Sequence, residues 1–180
     1  GGEGNPVMSL TINGVNTYGE LLNCSFPAKI NEKNNGFTCA IANNNGSCSG
    51  SAISANSLNA PTGVAVDSGG NLYITDGGNQ RILYYPAGTT TATMVYGQSG
   101  NFTTAASGTT ATSFNGVWMI AVDPYDNLYA ADYNNRRVLY FPKGSTTATR
   151  VYGQTNFTTS TINNGGLTTG LNNPQSVSVD

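Results

Sequence analysis

Pro61-Thr-Gly-Val-Ala-Val-Asp67, Asn71-Leu-Tyr-Ile-Thr-Asp76 and Asn79-Gln-Arg-Ile-Leu-Tyr-Tyr-Pro86 decide the fold of this 180-residue chain, because the chain states them twice. Ile120-Ala-Val-Asp123, Asn127-Leu-Tyr-Ala-Ala-Asp132 and Asn135-Arg-Arg-Val-Leu-Tyr-Phe-Pro142 follow in the same order. A constant interval of 56 residues separates Asp67 from Asp123, Asp76 from Asp132, Pro86 from Pro142 and Gln98 from Gln154. A third copy begins at Asn173-Pro-Gln-Ser-Val-Ser-Val-Asp180. Repetition at a fixed period means one supersecondary unit copied and stacked, since a single unit cannot bury its own apolar face.

Each unit holds four short runs rich in Val, Ile, Tyr and Thr, in the first copy residues 63–67, 71–76, 81–85 and 91–97. Such residues fit a pleated, half-buried surface. Asp67-Ser-Gly-Gly70 and Asp123-Pro-Tyr-Asp126 have hairpin-turn chemistry. No long stretch has helical spacing. The expected fold is all-β: four-stranded antiparallel propeller-like blades, about three units and therefore incomplete as a single chain. The organisation read from the repeats is residues 1–57 as a degenerate blade or Cys-containing cap, 58–113 and 114–171 as blades, and 172–180 as the first strand of a further blade.

The pattern P-x-G-V-A-V-D, G-N-L-Y-I-T-D, N-x-R-I-L-Y-Y resembles the NHL repeat, a β-propeller blade. The resemblance covers residues 58–180. Two departures stand out: Gln80 or Arg136 follows the turn Asn, and Trp118 stands near the place of Gly63. The unit is also longer than the roughly 40–45 residues of related blades. Its extra length lies in residues 99–116 and 155–173. In the first part of the chain Pro6, Asn16 and Tyr18 align with Pro61, Asn71 and Tyr73, which favours a degenerate blade over a plain cap.

Seven basic and nine acidic residues make 9% of the chain, against roughly 25% in a typical soluble domain. The balance carries no basic stripe and argues against nucleic acid as a partner. Arg136-Arg137 falls at the Gln80-Arg81 place of the repeat and reads as structural. No apolar run approaches the roughly 20 residues of a membrane span. The chain opens on Gly1-Gly2 with no signal-peptide pattern, which fits a processed chain or an excised fragment. Cys24, Cys39 and Cys48 lie close together outside the repeats. A Cys39–Cys48 bridge around Asn43-Asn-Asn-Gly46 with Cys24 left over is the favoured pairing, and Cys24–Cys39 is the alternative. A bridge of this kind fits an extracellular or cell-surface location. Four N-x-[ST] acceptors, at Asn23, Asn45, Asn101 and Asn156, point the same way. Asn101 and Asn156 occupy matching places after Tyr-Gly-Gln, where glycans would supply the hydrophilicity that the sparse charges do not.

The chain contains no histidine, which removes the commonest general base and metal ligand. Lyases among NHL-like propellers hold a metal through His, and lactonase-like relatives use Glu, Asn and Asp. Here the carboxylates Asp67, Asp76, Asp123, Asp132 and Asp180 recur at fixed repeat positions beside Gly or Asn, as turn-stabilising Asp residues do. A catalytic group belongs to one blade, not to all. No catalytic, cofactor or metal site is therefore expected. Tyr73, Tyr84, Tyr85, Tyr129, Tyr140 and Phe141 are expected to pack between blades. Trp118 is unique and thus the best single ligand contact, although its inner-strand place reads as core filling.

The functional expectation is a non-enzymatic extracellular structural protein that joins copies of itself head to tail in a glycosylated filament or coat. Val177 and Val179 would be buried at the contact, by strand addition from a neighbour. The alternatives are a protein- or glycan-binding fragment of a longer propeller and a lactonase- or lyase-type enzyme.

Overall fold

A computed structural model describes the backbone of residues 7–12 and 15–20, and residues 42–43, 52–164, 166 and 168–180 in full. Cys24, Cys39, Cys48, Asn23 and Asn45 lie outside the described residues. The chain divides into two units, Gly1–Ala40 and Ile41–Asp180. In the first, β1 (Val7–Ile12) and β2 (Val15–Glu20) form an antiparallel hairpin with Val7 opposite Glu20 and Ile12 opposite Val15. The further strands expected of a degenerate blade fall outside the described residues. Among the described residues no helix is long and apolar enough to cross a membrane.

The second unit is two four-stranded antiparallel sheets. Blade one is β3 (Pro61–Val66), β4 (Leu72–Asp76), β5 (Arg81–Tyr85) and β6 (Met94–Tyr96), paired in chain order. Blade two is β7 (Val117–Val122), β8 (Leu128–Asp132), β9 (Arg137–Phe141) and β10 (Arg150–Tyr152), paired likewise. The register repeats: Leu72 faces Tyr85 and Leu128 faces Phe141. These are propeller-like blades, and the strands lie where period-two alternation puts them.

The turn chemistry repeats as well. Asp67 Oδ1 accepts the Gly69 and Asn71 N–H groups, each at 2.9 Å, and Asp123 Oδ1 accepts those of Tyr125 and Asn127 at 3.0 and 2.8 Å. Asp76 and Asp132 do something else. The expectation of a turn role gives way to a buried ion pair. Asp76 Oδ2 meets Arg81 Nε at 2.7 Å and Asp132 Oδ2 meets Arg137 Nε at 2.8 Å, and all four side chains are inaccessible to solvent. The cause is that each guanidinium is drawn inward by carbonyls from two loops. Arg81 donates to Ser54 O, Ser57 O and Phe102 O; Arg137 donates to Thr110 O, Ser113 O and Phe157 O. Arg137 is structural, as its repeat position implies.

The core lies between the sheets. Tyr73, Ile82 and Tyr96 of blade one pack with Phe114, Val117, Ile120, Leu128, Ala130, Leu139 and Phe141. The Tyr96 and Phe141 rings meet edge to face at 5.3 Å across the junction. The opposite face of blade one buries Leu83, Tyr85, Ala92 and Val95 against Ala55, Leu58 and Phe102. Each such large apolar side chain contributes about 1.5–3 kcal/mol by burial.

The recurring Tyr-Gly-Gln now has a reason. Gly97 and Gly153 take φ of 84° and 85°, and a Cβ there would strike Phe114 and Leu171 respectively. The following amide ties the long loop to the blade: Gln98 Nε2 donates to Gln80 O and Ala106 O, and Gln154 Nε2 to Arg136 O and Thr161 O.

Removing one partner from a buried ion pair strands the other in a medium where it cannot be solvated. Arg137→Met is therefore expected to destabilise the chain by about 3–5 kcal/mol. Urea unfolding checks this, and a loss below about 1 kcal/mol would show the pair to be dispensable.

Candidate functional site

The two blades allow a position-by-position comparison of what a neighbouring sheet covers. β3 and β7 lie side by side across the junction. Ile120 of β7 is 6% exposed and Val122 packs against the same core, because blade one covers them. Their counterparts on β3, Val64 and Val66, are 60% and 58% exposed. The reverse holds on the other side. Tyr96 is 1% exposed beneath Phe141, whereas its counterpart Tyr152 is 42% exposed. Arg150 lies over the Tyr140 ring at 4.8 Å, and Tyr140 meets Tyr129 edge to face at 5.1 Å. Blade one thus exposes Val64 and Val66 at the β3 edge of a face whose Leu83 and Val95 are buried, and blade two exposes an aromatic surface of the kind that covers Ile120 and Val122 at the existing junction.

The beginning of the third copy follows the same geometry. Asn173 takes φ of 52°, as Gly116 and Ala60 take 76° and 49° at the same place. Asn163 N–H donates to Leu171 O as Gly108 N–H donates to Phe114 O. Val177 and Val179 are half-buried with exposed Ser176, Ser178 and Asp180 around them, and residues 174–180 form no strand.

One feature of the junction does not recur. Asp126 carboxylate oxygens accept the Ser68 N–H and hydroxyl, each at 2.8 Å, and the Lys143 ammonium at 2.8 Å. Blade one has Gly70 in place of Asp126, and blade two has Pro124 in place of Ser68. Proline offers neither an N–H nor a hydroxyl. The latch therefore belongs to this junction and cannot be copied at the next. The sequence marks it only as two departures from the repeat.

Asn101 and Asn156 lie exposed in the loops that follow each blade. Asn101 Oδ1 accepts the Thr103 N–H and hydroxyl at 2.8 Å each, and Asn156 Oδ1 accepts those of Thr158 at 2.9 Å each. Of the recurring aromatics, Tyr73 and Phe141 pack into the junction as expected. Trp118 does not fill the core. A bulge between Val117 and Ile120 turns it outward, 40% exposed, against Tyr133. That partner was legible only as a Tyr at the place of Gly77.

Residues 58–85, which contain β3, β4 and β5, match the NHL repeat. No curated protein matches the chain. The match covers the first three strands of blade one, and both four-stranded sheets are propeller-like.

The Lys143 ammonium first, and then the Ser68 N–H and hydroxyl, hold the Asp126 carboxyl down to about 2 from its ordinary 3.8. A depressed carboxylate stabilises the fold fully above 3.8, and that contribution is lost as pH falls towards about 2. Asn tolerates the left-handed backbone at this position, where φ is 64°. The thermal midpoint of the native chain should therefore exceed that of Asp126→Asn at about pH 6 and converge on it near pH 2. A gap that stays constant with pH would show that the latch does not act through its charge.

Proposed function

We infer that this NHL-repeat chain is a non-enzymatic structural building block whose blades stack head to tail into a glycosylated extracellular filament. The observation that carries this reading is the matched burial of equivalent positions. Val64 and Val66 are bare where Ile120 and Val122 are covered, and Tyr152 is bare where Tyr96 is covered. Each of these exposed patches has, within the same chain, an example of the surface that covers its counterpart. Because the two faces differ, a contact between copies is heterologous. Such a contact gives a ring when its rotation closes and a helical filament when it does not. The Ser68–Asp126 latch cannot form between copies through Gly70 and Pro124. An intermolecular junction thus differs from the internal one, which favours the open, helical outcome.

The non-enzymatic reading is supported by the engagement of the recurring carboxylates. Asp67 and Asp123 are spent on turn N–H groups, and Asp76 and Asp132 on buried guanidinium groups. Glycans at Asn101 and Asn156 fit the exposure of both side chains, and sugar would offset the sparse charge. A second reading, a binding module within a longer propeller, is favoured by the exposed Trp118.

Electron microscopy of native material is expected to show continuous filaments. A Val64→Asp, Val66→Asp double substitution should reduce them to single chains, because a charge on that face cannot be desolvated without a partner. Discrete particles of one chain's mass in the native material would overturn the assembly. Intact mass of the secreted protein should exceed the polypeptide mass and fall to it after enzymatic removal of N-glycans. A bare mass from a glycosylating host would refute the sugar.

A further inference from the structure

The two blades are alike wherever the framework needs them to be. Asp, Asn and Arg at 76, 79 and 81 recur at 132, 135 and 137, and Asp67, Asn71 and Gln98 recur at 123, 127 and 154. One corner breaks the pattern. At the end of the blade where β7 begins and β8 turns into β9, blade two carries Trp118, Tyr133 and Asn134. Blade one carries Thr62, Gly77 and Gly78 at those places. At three neighbouring positions blade two thus carries an indole, a phenol and an amide where blade one carries small residues. Function is grafted onto a repeated fold through such local departures.

The geometry of the corner is that of an open shelf. The Trp118 and Tyr133 rings stack with centroids 5.1 Å apart and planes at 20°. The β7 bulge turns Trp118 out of the sheet, leaving it 40% exposed beside exposed Met119. Backbone bonds from Tyr133 N–H to Gly116 O and from Asn134 N–H to Asn115 O, each 3.0 Å, fix the shelf to the blade. Asn134 Nδ2 donates to Asn115 Oδ1 at 3.2 Å, which joins the exposed Asn134 amide to that of half-buried Asn115 beside the rings. The corresponding corner of blade one has no room for this. A Cβ on Gly77 would lie 3.1 Å from Ala60 O and 3.3 Å from Val117 O, and one on Gly78 would lie 2.5 Å from the Asn59 side chain.

We propose that the Trp118–Tyr133 corner of blade two is a carbohydrate-binding platform that takes a neutral pyranose sugar. The flat C–H face of a pyranose carries slight positive charge and matches the negative face of an aromatic ring. Its equatorial hydroxyls need donors and acceptors at the ring edge, which the Asn115–Asn134 amide pair supplies. Arg136 Nη1 beside the corner already donates to Asn134 O and Ser160 O at 3.0 and 2.8 Å. A protein partner needs about 800 Å² of matched surface on each side. The shelf is two rings beside an amide pair, which suits a sugar ring. The sugar can be free saccharide or a glycan carried by another copy of this chain, and the recognition chemistry is the same.

Trp118 is the only tryptophan in the chain, so its fluorescence reports the shelf directly. Unglycosylated full-length chain is titrated with the hexasaccharides of β-1,4-linked glucose, of mannose and of N-acetylglucosamine. At least one should give a saturable change in emission, with half-saturation on the order of a millimolar or below. Tyr133→Gly installs blade one's own residue and should weaken that response by roughly tenfold or more, with an unchanged circular dichroism spectrum. Should that variant fail to fold, Trp118→Thr, followed by calorimetry, is to lose the heat of binding. Chain made in an N-glycosylating host separates the two sources. A response that appears only after glycans are removed identifies the chain's own glycan as the occupant, and one that is equal before and after identifies an external sugar. No saturable change with any of the three saccharides overturns the platform. So does an affinity unaltered by Tyr133→Gly, or a loss of self-association in Trp118→Thr without any sugar binding in the native chain, which would make the corner a protein contact.

Discussion

A buried charge that must be fully satisfied organises this protein. Arg81 and Arg137 lie entirely out of water, each held by one carboxylate oxygen and three backbone carbonyls. The carboxylate comes from the neighbouring strand, but the carbonyls come from outside the sheet. Two lie on the segment that precedes the blade and one on the loop that follows it. A guanidinium left short of partners in such a place costs several kcal/mol. The incoming and outgoing segments are therefore fixed once the strands are fixed. This accounts for the length of the repeat. Residues 99–116 carry the Thr110 and Ser113 carbonyls that Arg137 requires, and Phe102 O for Arg81, so the loop is part of two blades at once.

The strands were legible because apolar alternation and turn residues are local, and both recur. Asp67 and Asn71 declared their turn by identity alone, since an Asx acceptor four residues before an amide needs no distant partner. The Arg–Asp pair was half legible. Its two residues are five apart and repeat, but the carbonyl partners carry no side-chain signature, so nothing in the letters at Ser54, Thr110 or Phe157 distinguishes a ligand from a bystander. Trp118 departs from its inner-strand expectation for a related reason. Strand periodicity assigns a face only while the register is unbroken, and the bulge between Val117 and Ile120 shifts it by a residue. The exposed face of β3 was not legible at all. Val64 and Val66 have the composition of buried residues, and only comparison with covered Ile120 and Val122 sets their 60% and 58% exposure apart.

Repetition and departure do different work here. The repeated residues make a unit that stacks on its like, as blade one packs on blade two. The residues that depart from the repeat decide which stacking step is which. Asp126 and Ser68 lock one junction, and their counterparts Gly70 and Pro124 are incapable of the same bonds. Ser68, Asp126 and Lys143 thus add a set of charge-assisted bonds to the apolar packing of this junction.

The same division explains where a ligand site can arise without damage to the fold. Positions 76, 79 and 81 are shackled by the buried pair, and position 97 by the approach of Phe114. The corner formed by positions 118, 133 and 134 carries none of those obligations. Its backbone is held by its own hydrogen bonds to Gly116 and Asn115, which are indifferent to the side chains above them. Blade one shows that the framework closes with Thr and two Gly residues there. The aromatic rings of blade two stack on each other rather than in the core, which leaves a half-exposed surface in a chain with little charge to solvate it.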